Sequence, residues 1–275
     1  MNRKEAYELG IKTLTEAGIE ETKSDALLLL EGICHVSRND VLVHGEIPLE
    51  EAVAEAYKDA LQKRCNRIPV QHITGVQNFM GLDFFVNENV LIPRFDTEIL
   101  VEEVMKHLHD GFSILDMCTG SGCILLSLLK YSNDCKGVGV DISAEALLVA
   151  NTNKEKLEIE ASFIESNLFE QVAGKYDIIV SNPPYIRSDV IPTLMEEVRV
   201  HEPILALDGL EDGLFFYREI IKESPGYLNG GGMLFFEIGY DQADDVRRLM
   251  EENGYKDVTV VKDFAGLDRV VYGRR

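Results

Sequence analysis

No stretch of about 18 uninterrupted apolar residues, the length a helix needs to cross a bilayer, occurs in the chain. No membrane span is therefore expected. The longest apolar run near the start, Ala26-Leu27-Leu28-Leu29-Leu30, is far too short. Met1-Asn2-Arg3-Lys4-Glu5 reads as the opening of a polar helix rather than a secretory leader. Cysteine is sparse and unpaired: Cys34, Cys65, Cys118, Cys123 and Cys135 are odd in number and contain no Cys-x-x-Cys. That pattern predicts free thiols, a cytoplasmic protein and no zinc or other metal site. Basic residues are also short, with 27 Lys and Arg against 48 Asp and Glu, a net charge of −21. A duplex-binding protein draws much of its affinity from cations that neutralise phosphates, so direct nucleic-acid binding is not expected. The balance favours a small-molecule or protein substrate. There is no internal repeat and no low-complexity tract.

What is present divides into two patterns. Residues 3–16, 22–32, 38–44 and 48–63 read as helices; in the second, Ser24 is a candidate cap before the leucine run. Together they predict a small helical domain over residues 1–75. Residues 69–74 and 79–86 alternate and carry aromatics, as short strands do. Asn87-Glu88-Asn89 reads as the turn of a hairpin between Phe84-Phe85-Val86 and Val90-Leu91-Ile92. A β-hairpin linker is thus expected over 76–92. From 93 to 275 strands and helices alternate. Strands are expected at 112–117, 137–140, 161–165, 176–181, 233–238, 258–261 and 269–272, and helices at 97–107, 123–131, 143–157, 210–222 and 242–253. This order predicts an α/β fold with a doubly wound, mostly parallel seven-stranded sheet. The last two strands have no room for a helix between them, so one strand should run antiparallel.

Two constellations carry chemistry. Leu115-Asp116-Met117-Cys118-Thr119-Gly120-Ser121-Gly122 leaves an apolar strand and opens a helix. A ligand can approach such a backbone closely, with a helix N-terminus behind it. Asp141 ends the next strand, where an acid can accept both ribose hydroxyls of a nucleoside. A plain strand-to-helix turn would also need glycine. The loop and the acid alone do not separate NAD from S-adenosylmethionine, though the missing three-glycine dinucleotide pattern leans away from NAD. The second constellation is Asn182-Pro183-Pro184-Tyr185, at the end of the buried strand Asp177-Ile178-Ile179-Val180-Ser181. Two prolines stiffen the turn and remove two N–H donors. Backbone carbonyls and the Asn182 side-chain carbonyl then form an acceptor surface. An NH₂ group offers two hydrogens, and a pair of acceptors can hold both and fix its plane. Tyr185 can stack on a flat substrate group. These residues point to methyl transfer from S-adenosylmethionine to a planar amide or amine nitrogen. They do not choose between a glutamine amide and the exocyclic amine of adenine. The acidic pairs Glu50-Glu51 and Glu196-Glu197 read as solvated faces, and the six histidines show no metal spacing.

Further segments narrow the choice. Gln71-His72-Ile73-Thr74-Gly75, Leu91-Ile92-Pro93-Arg94-Phe95-Asp96-Thr97-Glu98, Val140-Asp141-Ile142-Ser143, Glu202-Pro203, Tyr217-Arg218 and Glu237-Ile238-Gly239-Tyr240 stand beside the two motifs. With them, nearly the whole chain resembles the PrmC/HemK family. That family methylates the glutamine side-chain amide in the Gly-Gly-Gln motif of class 1 peptide chain release factors. The resemblance implies a Rossmann-like class I methyltransferase, with S-adenosylmethionine as cofactor, release factors as protein partners and a monomeric state. It implies that Cys118, Thr119, Gly120, Ser121, Gly122 and Asp141 hold the methionine and ribose parts of the cofactor. Asn167, Leu168 and Phe169 would lie over the adenine, and Asn182 would also touch the cofactor. Asn182 and the Pro183 carbonyl would hold the glutamine amide, with Pro184 and Tyr185 enclosing it. Residues 94–98 would line the site from the other domain. Cys118 stands where the family usually has glycine; if its φ is positive, the cost is about 1 kcal/mol or more. The rivals are an adenine methyltransferase acting on nucleic acid and a non-catalytic paralogue.

Overall fold

A computed structural model describes all residues from Met1 to Arg275. The chain divides into two compact units: residues 1–76 with 195–201, and residues 77–194 with 202–275.

The first unit is helical. It contains α1 (Arg3–Glu16), α2 (Thr22–Cys34), α3 (Arg38–Val43), α4 (Glu51–Cys65) and α5 (Val70–Thr74). Two of these helices begin with reciprocal caps. Asn2 accepts from the Glu5 N–H while the Glu5 carboxylate accepts from the Asn2 N–H, and Ser37 and Asp40 do the same. Each pair satisfies two backbone donors that a helix start leaves orphaned. Ser24 does not cap α2; it lies inside a helix that starts two residues earlier. Residues 69–74, expected as a strand, form α5 instead. Pro69 suits a helix N-terminus, and Gly75 ends the helix at φ 73°. The apolar faces of these helices meet around Leu14, Leu29, Leu30, Tyr57 and Leu61. Under that core, Arg64 donates to Asp25 at 2.7 Å and to Glu197 at 3.0 Å. Glu197 belongs to a short helix of residues 196–201 assigned to this unit. Its carboxylate is only 12% exposed, so the Glu196-Glu197 pair is not simply a solvated face. The chain thus leaves the second unit after Leu194 and re-enters it at Glu202.

The second unit opens with a hairpin, β1 (Val76–Phe79) and β2 (Leu82–Phe85). The turn is Met80-Gly81, not Asn87-Glu88-Asn89, and Val90-Leu91-Ile92 is not a strand. Both turn residues have positive φ, 51° and 73°, as the tightest hairpin turns require. Met80 has no intrinsic liking for that region. Tertiary bonds hold it there: its N–H donates to Glu98 at 2.6 Å and its carbonyl accepts from Tyr131 at 2.6 Å. Asn87 instead makes a local turn, accepting the Asn89 N–H on its side chain at 3.0 Å. The hairpin is not a free linker, since Phe79 and Phe84 are fully buried in this unit's core.

The sheet of this unit has seven strands in the order β5-β4-β3-β6-β7-β9-β8. They are β3 (Ser113–Met117), β4 (Lys136–Asp141), β5 (Ser162–Glu165), β6 (Tyr176–Ser181), β7 (Leu228–Glu237), β8 (Lys256–Lys262) and β9 (Asp268–Arg274). β3 to β7 pair in parallel, and β9 runs antiparallel between β7 and β8. The expected fold class and its antiparallel strand are therefore present. Numbered on in chain order, the helices of this unit are α6 (Phe95–Met105), α7 (Cys123–Lys130), α8 (Ala144–Leu157), α10 (Phe215–Glu223) and α11 (Ala243–Glu252), with α9 (Glu196–His201) in the first unit. The α10 helix starts five residues later than the apolar pattern suggested, and β7 begins five earlier. The sheet is buried on both faces. Ile114, Ile178, Val180 and Phe235 pack against α6 and α7 residues such as Leu100, Val104 and Ile124. Their alternates Leu115, Ile179, Leu234 and Phe236 pack on the other face with Tyr217, Ile220, Val246 and Met250. That period-2 split on near-continuous apolar strands is what a doubly covered sheet demands. β4 lies on one side of β3 and β6 on the other, so the strand order reverses there. A crevice opens at the carboxyl ends of strands at such a point.

Candidate active site

Met117 and Ser181 end their strands as direct partners in the β3–β6 pairing. The Ser181 hydroxyl donates to the Met117 carbonyl at 2.6 Å. This brings the glycine loop and Asn182-Pro183-Pro184-Tyr185 side by side. A cavity of about 280 Å³ lies at this edge, within the second unit. Cys118, Thr119, Gly120, Ser121, Asp141, Asn167, Leu168, Asn182 and Pro184 all line it. Gly122, Pro183 and Tyr185 do not. Gly122 caps α7 with φ 78° and its Cα faces the Phe163 ring. Pro183 is buried.

The loop is shaped by alternating left-handed residues: Cys118 at φ 61°, Gly120 at 54° and Gly122 at 78°. Gly120 meets no heavy atom within 4 Å where a Cβ would stand, so its backbone is open to a ligand. Cys118 adopts the strained conformation with a side chain attached. Burial pushes its thiol well above the ordinary cysteine range, and the neighbouring Asp141 and Asp116 add to this. The thiol is therefore neutral. The loop is braced by two carboxylates. Thr119 donates its hydroxyl to Asp116 at 2.6 Å. Asp116 is fully buried, its second oxygen has no protein partner, and burial raises it to about 7. Asp141 accepts the Gly120 N–H at 2.9 Å and the Ser143 N–H at 3.0 Å, one on each oxygen. Burial raises the Asp141 pKa in spite of these bonds. Each of its oxygens keeps a lone pair for a further donor.

The acceptor loop is fixed from behind. Gln242 donates to the Tyr185 carbonyl at 3.0 Å and to the Gly213 carbonyl at 3.2 Å. Gly213 allows this approach, since a Cβ there would stand 2.5 Å from the Tyr185 oxygen. The Ile186 N–H donates to Leu207 at 3.0 Å, and Ile186 accepts from Gly209 at 2.8 Å. The Tyr185 hydroxyl turns away from the cavity and donates to Glu237 Oε1 at 3.3 Å. At the cavity wall, the Asn182 amide nitrogen donates to the Thr97 hydroxyl at 3.4 Å. That bond leaves the Asn182 carbonyl oxygen as the free acceptor of the side chain.

Several lining residues escaped the motif reading. Val90, Leu91, Leu205, Phe215 and Phe216 supply an apolar wall; Thr97, within the 94–98 segment expected at the site, adds a hydroxyl. Residues 94–98 were expected to reach in from the other domain, but they belong to the same unit as the rest of the site. Arg94 is held by a buried acid, donating to both Glu202 oxygens at 2.7 and 2.6 Å. Glu237 ends β7, and the strand-end logic that singled out Asp141 could have found it. Asn167 donates to Glu170 at 2.9 Å while Leu168, at φ 49°, presents its side chain to the wall.

Family models match the chain twice: the PrmC N-terminal domain over residues 5–75 and the methyltransferase small domain over 94–201. A release factor glutamine methyltransferase of Clostridium acetobutylicum is 40% identical, over 100% of this chain and 99% of its own. The chain belongs to the release factor glutamine methyltransferase family. A Caulobacter vibrioides member is 42% identical over 94% of this chain and 92% of its own length. The fold extends further than the family. A 16S rRNA N2 G1207 methyltransferase of T. thermophilus, solved with AdoMet and guanosine, superposes with a TM-score of 0.52 at 17% identity. That alignment covers 73% of this chain and 49% of the other. At that identity the likeness is one of fold.

Proposed function

We propose that this protein transfers a methyl group from S-adenosylmethionine to the side-chain amide of the glutamine in the Gly-Gly-Gln motif of class 1 release factors. The observation that carries the reading is Asn182, whose carbonyl oxygen is left free at the cavity wall beside the glycine loop.

The residues present fit the cofactor. Gly120 offers bare backbone to the cavity, Asp141 has lone pairs for two ribose hydroxyls, and Leu168 with Phe215 supplies apolar surface for a flat base. Thr119, Ser121 and Cys118 would flank the amino-acid part, with Asn167 near the base. When bound, S-adenosylmethionine supplies an electrophilic methyl on a positively charged sulfur. The chain supplies position. Asn182 Oδ1 at the cavity wall accepts one hydrogen of the substrate NH₂. The carbonyl of Pro183, whose residue is buried between two lining neighbours, is the proposed acceptor of the other, so that together they fix its plane. Drawing those hydrogens toward acceptors enriches a nitrogen that is otherwise a poor nucleophile. Pro184 closes the wall beside it, and Tyr185 holds the loop through Glu237. Taking up the methyl leaves the amide nitrogen cationic and strongly acidic, so water suffices to take one of its protons and the product is the neutral N-methyl amide. The acidic surface, net charge −21, suits a basic protein partner better than a phosphate backbone.

The test uses Asn182→Ala. Methyl transfer to purified release factor should fall by at least about 100-fold, while cofactor affinity changes little. Equal loss of both would make Asn182 a structural or cofactor residue.

A further inference from the structure

Two sides of the cavity meet on one helix face. Ala146, Val149, Ala150 and Asn153 follow one another along the buried face of α8, at the spacing that stacks side chains on a helix. On one side is the glycine loop. A Cβ on Gly122 would stand 3.3 Å from that of Ala150, so the loop lies directly on this face. On the other side is the chain that leaves β2. Val86 and Val90 pack with Ala146 and Val149, and Asn89, Val90 and Leu91 go on to line the cavity.

Asn153 joins the two. It is 0% exposed. Its amide nitrogen donates to the Ser121 carbonyl at 2.9 Å and to the Phe85 carbonyl at 3.0 Å. Its oxygen accepts the Phe85 N–H at 2.6 Å. An amide nitrogen has two hydrogens and both are used, so three main-chain groups fix which way the side chain faces. No main-chain N–H reaches the Ser121 carbonyl, and Asn153 is its donor. A residue that only packed α8 in place would need no amide here, since burying one costs free energy unless its polar atoms are matched.

We propose that Asn153 is a positioning residue for the cofactor: it sets the glycine loop, at Ser121, against the wall segment that begins at Phe85, and so holds the cavity at the width the cofactor needs. Ser121 lines the cavity and Asn153 does not, so the effect passes through the main chain on either side. This role rests on the reading of the cavity as the S-adenosylmethionine site.

The experiment measures S-adenosylmethionine affinity by calorimetry, at a temperature where each protein is folded, for wild type, Asn153→Ala, Asn153→Asp and Met250→Ala. Asn153→Ala releases the loop from the wall and leaves the Ser121 carbonyl unmatched, so affinity should fall about tenfold or more. Asn153→Asp keeps the shape and the acceptor for the Phe85 N–H but turns an acceptor toward Ser121, and should bind no better than Asn153→Ala. Met250→Ala truncates a fully buried side chain that does not line the cavity. It lowers stability but should leave affinity within about twofold of wild type. Hydrogen exchange in wild type tests the link without a substitution, should the Asn153 variants not fold. The Phe85 amide does not line the cavity, and Phe235 sits in mid-sheet, paired on both sides. S-adenosylmethionine should slow exchange at Phe85 at least about fivefold more than at Phe235, as coupling between the loop and β2 requires. Wild-type affinity in either Asn153 variant, an equal loss in Met250→Ala, or equal slowing at Phe85 and Phe235 would overturn this role alone. A wild type with no affinity for S-adenosylmethionine would overturn the functional reading and take the role of Asn153 with it.

Discussion

Cys118 offers a direct test of the cofactor loop's backbone. Its φ is 61°, in the left-handed region. A residue with a Cβ pays about 1–2 kcal/mol there. Glycine does not, but it gives up about 0.4–1 kcal/mol more chain entropy on folding. Comparing Cys118→Gly with Cys118→Ala removes the thiol from both and cancels its packing. The difference is then strain relief minus entropy, and Gly should be the more stable by about 0.5–1 kcal/mol. In a chain of this size that is about 1–4 °C in Tm, or a matching shift of a urea midpoint. In ordinary helical or extended backbone the order reverses, with Ala ahead by about 0.5–1 kcal/mol. The sign of the difference therefore reads the conformation. Ala more stable than Gly would refute the left-handed loop and the path drawn for the cofactor backbone.

The acid at the end of β4 should act on the cofactor. Asp141→Asn weakens one charge-assisted bond to the loop at Gly120, one to Ser143 and one receptor for ribose, so cofactor affinity should drop about tenfold or more by calorimetry. Arg64→Ala strands the buried Asp25 carboxylate in the first unit, while Glu197 keeps Arg67 at 3.3 Å, and should cost about 3 kcal/mol in denaturant unfolding. Glu237 should show itself in the pH dependence of stability. Burial raises its pKa from 4.5 to about 7, opposed by Thr97, Arg269 and Tyr185 and reinforced by Asp96. The folded state thus holds a proton that the unfolded state has lost between those values, and its contribution to stability falls as pH rises through that window. Glu237→Gln should gain stability relative to wild type from pH 4.5 to about 7, by up to about 3 kcal/mol, and level off above. A flat difference across that range would mean that Glu237 is not desolvated.

The doubly wound sheet was legible because its strands are long apolar runs whose alternate residues serve opposite faces, as Ile178 and Ile179 do. The placement of the glycine loop, Asp141 and Asn182 at one edge follows from strand ends alone. Where the reading failed, a tertiary contact or a short-range rule outweighed the pattern. Met80 turns the hairpin because Glu98 and Tyr131 grip its backbone, which no local propensity announces. Residues 69–74 alternate like a strand, yet Pro69 and Gly75 bracket one short helix. Thr97 was placed at the site only as part of the 94–98 segment; its bond to Asn182, 85 positions away, appears only in the folded chain. The apolar wall of Phe215 and Phe216 carries no chemical motif, so only the folded chain brings it to the cavity.

The central claim is that the target of methylation is one glutamine nitrogen. Purified protein, labelled S-adenosylmethionine and a class 1 release factor suffice to examine it. The account predicts label on the release factor, and none when the glutamine of its Gly-Gly-Gln motif is replaced by glutamate. Label that persists on the substituted factor, or that goes instead to DNA or RNA added to the same mixture, would contradict it.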